Sequence, residues 1–161
     1  MTSNRPDPDA YRHVIGHFGS GVTIITSSAP EGPVGFTASS VASLSLDPLL
    51  VMVGVSEGSE TLAAIRSSGA FGVNILARGQ AGLARRFASS DRDGRFVDVA
   101  LAEAVTGSPL VRGSLAWLDC SLHAEVPAGD HVVAIGQIQG CEAFEGEPLL
   151  YYRGAFGGWS P

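Results

Sequence analysis

Short stretches of alternating apolar and polar residues dominate the chain, interrupted by a few segments with helical spacing. Tyr11, Val14, Ile15 and Phe18 fall at i, i+3, i+4 and i+7, which predicts a short helix with one apolar stripe. Asp7-Pro8 supplies its start, with Asp as N-cap and Pro in the first turn, and Gly19-Ser20-Gly21 ends it. Val22 to Thr26 is rich in β-formers, and the turn cluster Ala29-Pro30-Glu31-Gly32-Pro33 predicts a hairpin return. The returning strand runs into Gly35–Val55, the stretch around which the rest is organised. Its opening crowds small residues with the hydroxyls of Thr37, Ser39 and Ser40. The alternating Ser43-Leu44-Ser45-Leu46 follows, then a turn at Asp47-Pro48 and an unbroken apolar run from Leu49 to Val53. Alternation predicts a strand buried on one face, and the unbroken run predicts one buried on both.

Further on, Ser59 caps a short helix around Leu62–Ile65 that stops near Gly69, and Phe71, Val73 and Ile75 alternate in a strand. Gln80 to Ala88 reads as another helix around Leu83 and Phe87, made locally positive by Arg85 and Arg86. Asp91 to Gly113 has weak periodicity and is expected to be mostly irregular. Leu118, Cys120, Leu122 and Ala124 share one strand face, Pro127–Asp130 is a turn, His131–Gln139 returns, and Pro148–Arg153 forms the last strand. Six or so antiparallel strands with a few short helices predict a mainly β fold, closed into a barrel so that sheet edges are covered. The length, residues 1–161, fits a single domain with a proper core.

Composition narrows the function. Charged residues make up 16% of the chain, below the roughly 25% of an average soluble domain. So few charges imply that part of the surface is hidden between subunits, as in a homodimer. A net charge of −6 without a basic run argues against a nucleic-acid partner. The apolar runs are too short to span a membrane, and the polar opening MTSNRPDPDA lacks a signal-peptide core, so a cytoplasmic location is expected. Cys120 and Cys141 are too few for a disulfide framework and suit a reducing compartment.

The candidate chemistry is sparse. There is no G-x-S-x-G, Walker loop or C-x-x-C. His13 and His17 stand at i, i+4, but Val14 sits where a zinc protease needs glutamate, so a solvated pair and no metal is expected. The Gly19 and Gly21 pair follows a helix and precedes a strand, the reverse of the dinucleotide-loop order. What remains is backbone, hydroxyls and one histidine, His131, beginning a strand after Gly129-Asp130. Such a set suits holding a cofactor that carries its own chemistry. On local grounds Ser59 reads as an ordinary helix cap, and the serines of the central hairpin could equally face solvent or a ligand.

Taken together, the motifs resemble one family. Tyr11-Arg12, Phe18–Thr23, Gly35–Ser40, Ser43–Pro48, Val73–Leu76, Gly129-Asp130-His131 and Pro148–Gly154 are similar, in order and spacing, to the short-chain flavin reductases. Those are FMN-binding split-barrel proteins that supply reduced flavin to two-component monooxygenases. The resemblance implies a six-stranded antiparallel split barrel of Greek-key type and hydride transfer from NADH or NADPH to FMN or FAD. It also implies a homodimer serving a monooxygenase through diffusible reduced flavin. By the same resemblance Thr37, Ala38, Ser39, Ser40, Ser43 and Leu44 line the flavin ring. Ser59 and Thr61 bind its phosphate, and Arg86 and Phe87 close over its tail. His131, Tyr151, Tyr152, Arg153 and Gly154 meet the nicotinamide nucleotide, His131 as a positioning group. The chain departs from the family pattern at Leu49, where many relatives have proline, and at Gly58, where some carry lysine. A non-enzymatic flavin- or haem-binding split barrel is the alternative reading.

Overall fold

The computed structural model describes residues 7–159. The reading of the polar opening segment therefore lies, over residues 1–6, outside the described residues. Helix α1 (Pro8–Ile15) starts as its sequence dictates, with the Asp7 carboxylate accepting from Ala10 N at 3.2 Å. The strands that follow are β1 (Ser20–Gly21), β2 (Thr23–Ala29), β3 (Gly32–Ala38), β4 (Val41–Leu46) and β5 (Leu49–Ser56). Helix α2 (Glu60–Ser68) is capped by Ser59 and stopped by Gly69 at φ 70°, where its N–H donates to Ile65 O. After β6 (Ala70–Ile75) come a 3₁₀ turn (Arg78–Gln80) and α3 (Ala81–Ala88), and then β7 (Leu101–Glu103) and β8 (Pro109–Val111). The chain continues through the long hairpin of β9 (Ala116–Ala128) and β10 (His131–Ala143), then β11 (Leu149–Tyr152) and β12 (Ala155–Gly158).

The main sheet is antiparallel throughout, in the order β3-β2-β6-β9-β10-β5-β4. It has seven strands where six were expected, and its outermost strands, β3 and β4, are not paired along their lengths. Only two residues, Ser39 and Ser40, join these outermost strands. A two-residue link cannot cross a flat seven-stranded sheet at about 4.8 Å per strand, so the sheet curls until its edges meet at one corner. Gly54 N donates to Ser40 O at 3.1 Å, which carries the β4–β5 ladder one residue into this link.

Both faces of the sheet are covered. Ile25, Val53, Val55, Phe71, Val73 and Cys120 pack with Leu62 and Ile65 of α2 on one side. Ile24, Leu76, Val111 and Leu149 pack with Ala84 and Phe87 of α3 on the other. This is why Val22–Thr26 shows no alternation of apolar and polar residues: β2 is buried on both faces, its threonines included. Asn74, fully buried, ties three strands together. It donates to Ile24 O (2.9 Å) and Thr26 Oγ1 (3.1 Å), and accepts from Val111 N (2.7 Å).

Both cysteines are free. Burial, reinforced by the Asp119 charge, pushes the Cys120 thiol up from 9.0 to about 12, while Cys141 is exposed. A thiol-specific reagent at neutral pH is therefore expected to modify one cysteine per folded chain and two after denaturation. Because the folded value is the higher one, this thiol's contribution to stability is complete below pH 9.0 and is lost as pH rises towards about 12. Two equally reactive thiols in the native protein would contradict the packing described.

Candidate functional site

At the corner where the sheet edges meet lies a cleft of about 930 Å³. One wall is Ser39, Ser40, Val41 and Ala42, the link and the start of β4. Met52 and Gly54 of β5 and Val133 of β10 line the cleft beside it. Tyr151, Arg153 and Gly154 form another part of the wall, and α1 contributes Arg12, His13 and Ile15. The cleft thus joins the segment assigned to flavin with the one assigned to nicotinamide.

Local geometry explains each part. Arg153 (φ 49°) and Gly154 (φ 82°) both take left-handed backbone, giving the two-residue turn whose twist matches the β11–β12 hairpin. Arg153 N donates to Gly16 O at 3.0 Å, fastening this turn to the end of α1. Gly54 has no side chain because a Cβ there would sit 3.1 Å from Ser40 Oγ. Ser40 Oγ donates to Gly54 O at 3.2 Å, and the Thr37 hydroxyl donates to Ala84 O at 2.7 Å, so both are engaged within the fold. Among the described residues Ser39 keeps its hydroxyl uncommitted. The small, largely apolar lining with exposed polar backbone fits a flat heteroaromatic ring system.

The lining carries Arg12, His13 and Arg153 and no carboxylate, in a chain whose net charge is −6. Arg12 is paired with Asp9 at 2.6 Å, and both are exposed. Among the described residues Arg153 has no carboxylate partner. Such a local excess of positive charge favours anionic, phosphate-bearing ligands. The rings of His13 and His17 stand 5.0 Å apart, and His17 Nδ1 bonds with His13 O at 2.8 Å. No group of three metal-ligating side chains occurs among the described residues.

Other residues singled out in the sequence lie around this cleft. Ser43 and Leu44 are exposed on the edge strand β4, and Leu44 is the extra residue of a bulge between the pairs Ser43–Val51 and Ser45–Leu50. Ser59 Oγ accepts from Leu62 N at 3.1 Å as the cap of α2, and Thr61 is buried in the first turn; neither lines the cleft. Ala38 is buried. Tyr152 presents its ring to His17, edge-on at 6.3 Å. His131 is exposed at the start of β10 on the same face as Val133, about 7 Å further along the strand. It bonds with Asp130 Oδ1 at 2.8 Å and with Ser56 Oγ at 3.3 Å. The hydrogen bond from His131, and then its charge, hold the Asp130 carboxyl below the usual range.

On α3, Arg86 donates to Val97 O at 2.8 Å and Phe87 is buried edge-on against Phe96 at 4.8 Å. Arg85, read from the sequence only as a local positive charge and given no site role, is the arginine that lines a second cleft of about 510 Å³, with Ala88 and Ser89. The signal available was phase: Arg85, Ala88 and Ser89 stand at i, i+3 and i+4, beside the buried pair Ala84 and Phe87.

Known proteins share this architecture. The chain is 45% identical over 156 residues to the reductase subunit HsaB of a flavin-dependent monooxygenase from Rhodococcus jostii, covering 96% of this chain and 80% of that one. The crystal structure of nitrilotriacetate monooxygenase component B homolog from Mycobacterium thermoresistibile superimposes with a TM-score of 0.90 at 40% identity. That match covers 95% of this chain and 87% of the other. The NADH:FAD oxidoreductase SgcE6 of Streptomyces globisporus, in complex with NAD and FAD fragments, matches with a TM-score of 0.89 at 31% identity, over 99% and 98% of the two chains. With residues 15–160 also matching the flavin reductase like domain, the chain belongs to the flavin reductase family.

Proposed function

We propose that this protein is an NAD(P)H-dependent flavin reductase, a single-domain enzyme that supplies diffusible reduced FMN or FAD to a partner monooxygenase. The observation that carries this reading is the shared cleft, which sets Ser39–Ala42 against Tyr151–Gly154 in one space large enough for two stacked rings. When bound there, flavin supplies the electron-accepting ring that takes hydride from a nicotinamide. The protein's own work is alignment of the rings at near-contact distance. Ser39–Ala42, with Ser43 and Leu44 beside them, would hold the polar edge of the ring through their backbone N–H groups, which would favour negative charge there. Met52 and Val133 exclude water from its face. The N-terminus of α2 at Ser59 takes the flavin phosphate through its free N–H groups, with buried Thr61 bracing the turn from within. Arg86 and Phe87 fix α3 and the 89–97 loop beside the flavin tail. His131, at the rim, orients the nicotinamide carboxamide, while Tyr151 and Tyr152 flank the entrance and the Arg153 charge draws the anionic nucleotide to it.

Purified protein is expected to oxidise NADH when FMN or FAD is added. A rate no higher than background with every pairing of NADH or NADPH with either flavin would refute the reading. Ligand binding without turnover would favour the non-enzymatic alternative.

The curl of the main sheet supports a split barrel of the Greek-key kind, with seven strands in place of the six expected and β3 and β4 as its open seam. A homodimer is the assembly proposed. The apolar stripe of α1 finds no partner within one chain: Tyr11, Val14 and Phe18 are 61%, 69% and 75% exposed. A second copy would cover that stripe close to the cleft. Light scattering at micromolar concentration is expected to give twice the chain mass, and the mass of one chain would contradict it. No described helix is long and apolar enough to cross a membrane. That fact and the two free cysteines support a cytoplasmic enzyme.

A further inference from the structure

The segment between α3 and β7 contains no helix or strand, yet it carries a buried charge: Arg95 is 9% exposed. Its guanidinium donates to Gly35 O at 2.7 Å and to Ser89 O at 2.6 Å, and it stands 3.7 Å from the Glu60 carboxylate. Gly35 belongs to the edge strand β3, Ser89 caps the end of α3, and Glu60 opens α2. One side chain thus joins three elements far apart in the chain. The two carbonyl bonds are the firm ones. Glu60 is partly exposed and lies 3.5 Å from Arg92 as well, so solvent screens its pairing.

Packing around this guanidinium is close. A Cβ at Gly35 would sit 2.6 Å from Ile25 O and 3.3 Å from both Phe87 Cε1 and Phe96 Cζ, so β3 approaches α3 this nearly only with glycine there. Phe96, the next residue after Arg95, packs edge-on against Phe87. Stability alone does not account for an arginine in such a place. Among the described residues its Nε–H is buried without an acceptor, which costs free energy. An apolar side chain of similar length would fill the space without that penalty. What it could not do is hold several acceptors at fixed separations, the particular capacity of a planar guanidinium.

Each partner adjoins a segment assigned to flavin. Gly35 comes just before Thr37–Ser40, beside the ring. Ser89 follows the turn of helix with Arg86 and Phe87, beside the tail, and Glu60 stands between Ser59 and Thr61, at the phosphate. We infer that Arg95 is a positioning residue for flavin, setting the distance between the segment that holds the ring and those that take the tail and phosphate. It touches no reacting atom and acts through the backbone that it holds. This role rests on the proposed reductase function and deepens it, because a ligand that spans separate segments binds well only when their spacing is fixed beforehand.

Fluorescence titration of the full chain with FMN and with lumiflavin tests this role. Lumiflavin has the same ring but neither ribityl chain nor phosphate, so it occupies the ring segment alone, whereas FMN must span the segments that Arg95 joins. Arg95→Met, which keeps an apolar stem, is expected to weaken FMN at least about tenfold, the size of one charge-assisted hydrogen bond, and lumiflavin less than about twofold. Arg95→Lys should recover part of the loss, since an ammonium restores charge and donors but not the planar fork. It is also the milder variant should Arg95→Met fail to fold, and by itself it is expected to shift the FMN-to-lumiflavin affinity ratio roughly threefold. Melting curves establish which variants are folded at the titration temperature. Equal weakening of both ligands in a folded variant would show a merely structural role and overturn the assignment, as would an unmoved FMN affinity. If the wild-type chain bound neither ligand, the reading of the flavin site itself would fall. Tighter wild-type binding of FMN than of lumiflavin, with that ratio unmoved in the folded variants, would remove only the role of Arg95.

Discussion

Gly54→Leu is expected to abolish flavin reduction while leaving the protein folded. Gly54 lies on β5, paired with Val133, and lines the cleft beside Met52. A leucine there places its branched side chain in the space assigned to the flavin ring, and even its Cβ stands 3.1 Å from Ser40 Oγ. The Ser40 hydroxyl, which donates to Gly54 O, must then shift by a few tenths of an ångström. Strand geometry tolerates leucine, and the Gly54 N–H bond to Ser40 O is a backbone bond that a side chain does not remove. The expected result is a loss of flavin affinity of at least about a hundredfold, roughly 2.7 kcal/mol, with little change in thermal midpoint. Normal flavin affinity in this variant would show that the cleft is not the flavin site.

Gly136→Ala is expected to produce the largest loss of stability for the smallest change. A Cβ at this position would lie 2.5 Å from Phe71 Cζ and 2.8 Å from Cys120 Cβ, both in the fully buried core. The Gly136 backbone is not in the left-handed region, so sterics alone decide the outcome. An unhindered Gly→Ala change in a strand would be mildly stabilising. Here overpacking reverses the sign, at a cost of about 3 kcal/mol, which lowers the midpoint by roughly 6–12 °C in a domain of this size. Gly157→Ala, with nothing within 4 Å of its Cβ, serves as the neutral control. Combining Gly136→Ala with Phe71→Leu should cost less than the sum of the two, because the smaller side chain vacates the contested volume. Strict additivity would show that the clash is relieved elsewhere.

These sites differ in how legible they were. The caps of α1 and α2 were readable because capping depends on neighbours in sequence, and Asp7 and Ser59 form the expected bonds. Strands β2, β5 and β6 were readable from apolar runs or alternation. Strands β7 and β8 were not: three residues each cannot display a period, and both lie within a segment expected to be irregular. The long hairpin β9–β10 extends past its expected ends. Register shifts between Ile135 and Gly136, and between Ile138 and Gly140, break the alternation that would have revealed it.

The α1 stripe shows the limit of periodicity, which identifies an apolar face but not what covers it. On α3 the limit is rotational: Arg85 and Arg86 are adjacent, and the turn of about 100° between them sends one to the cleft and the other to Val97 O. Arg95 illustrates a third kind of loss. It is buried while donating to Ser89 O (2.6 Å) nearby and to Gly35 O (2.7 Å), a partner 60 residues away that no local pattern announces. For the cleft itself, hydroxyl-rich Thr37–Ser40 and the Tyr151–Gly154 turn were legible as pieces, while their meeting depended on the sheet's curl.

One pairing has a kinetic meaning. Strand β1 is hydrogen-bonded to β11, Ser20 opposite Tyr151 and Gly21 opposite Leu150, so one wall of the cleft is sewn together by contacts between segments near opposite ends of the described chain. Contacts of such long sequence separation carry a large loop-closure cost and tend to form after local hairpins. The binding site is therefore expected to form late in folding, with docking of the β11–β12 hairpin. In the folded protein the same seam, two residue pairs long at β1, is where opening would begin. A ligand lying across it binds only the sewn state and slows amide exchange in β11 first, ahead of any effect on the β9–β10 hairpin.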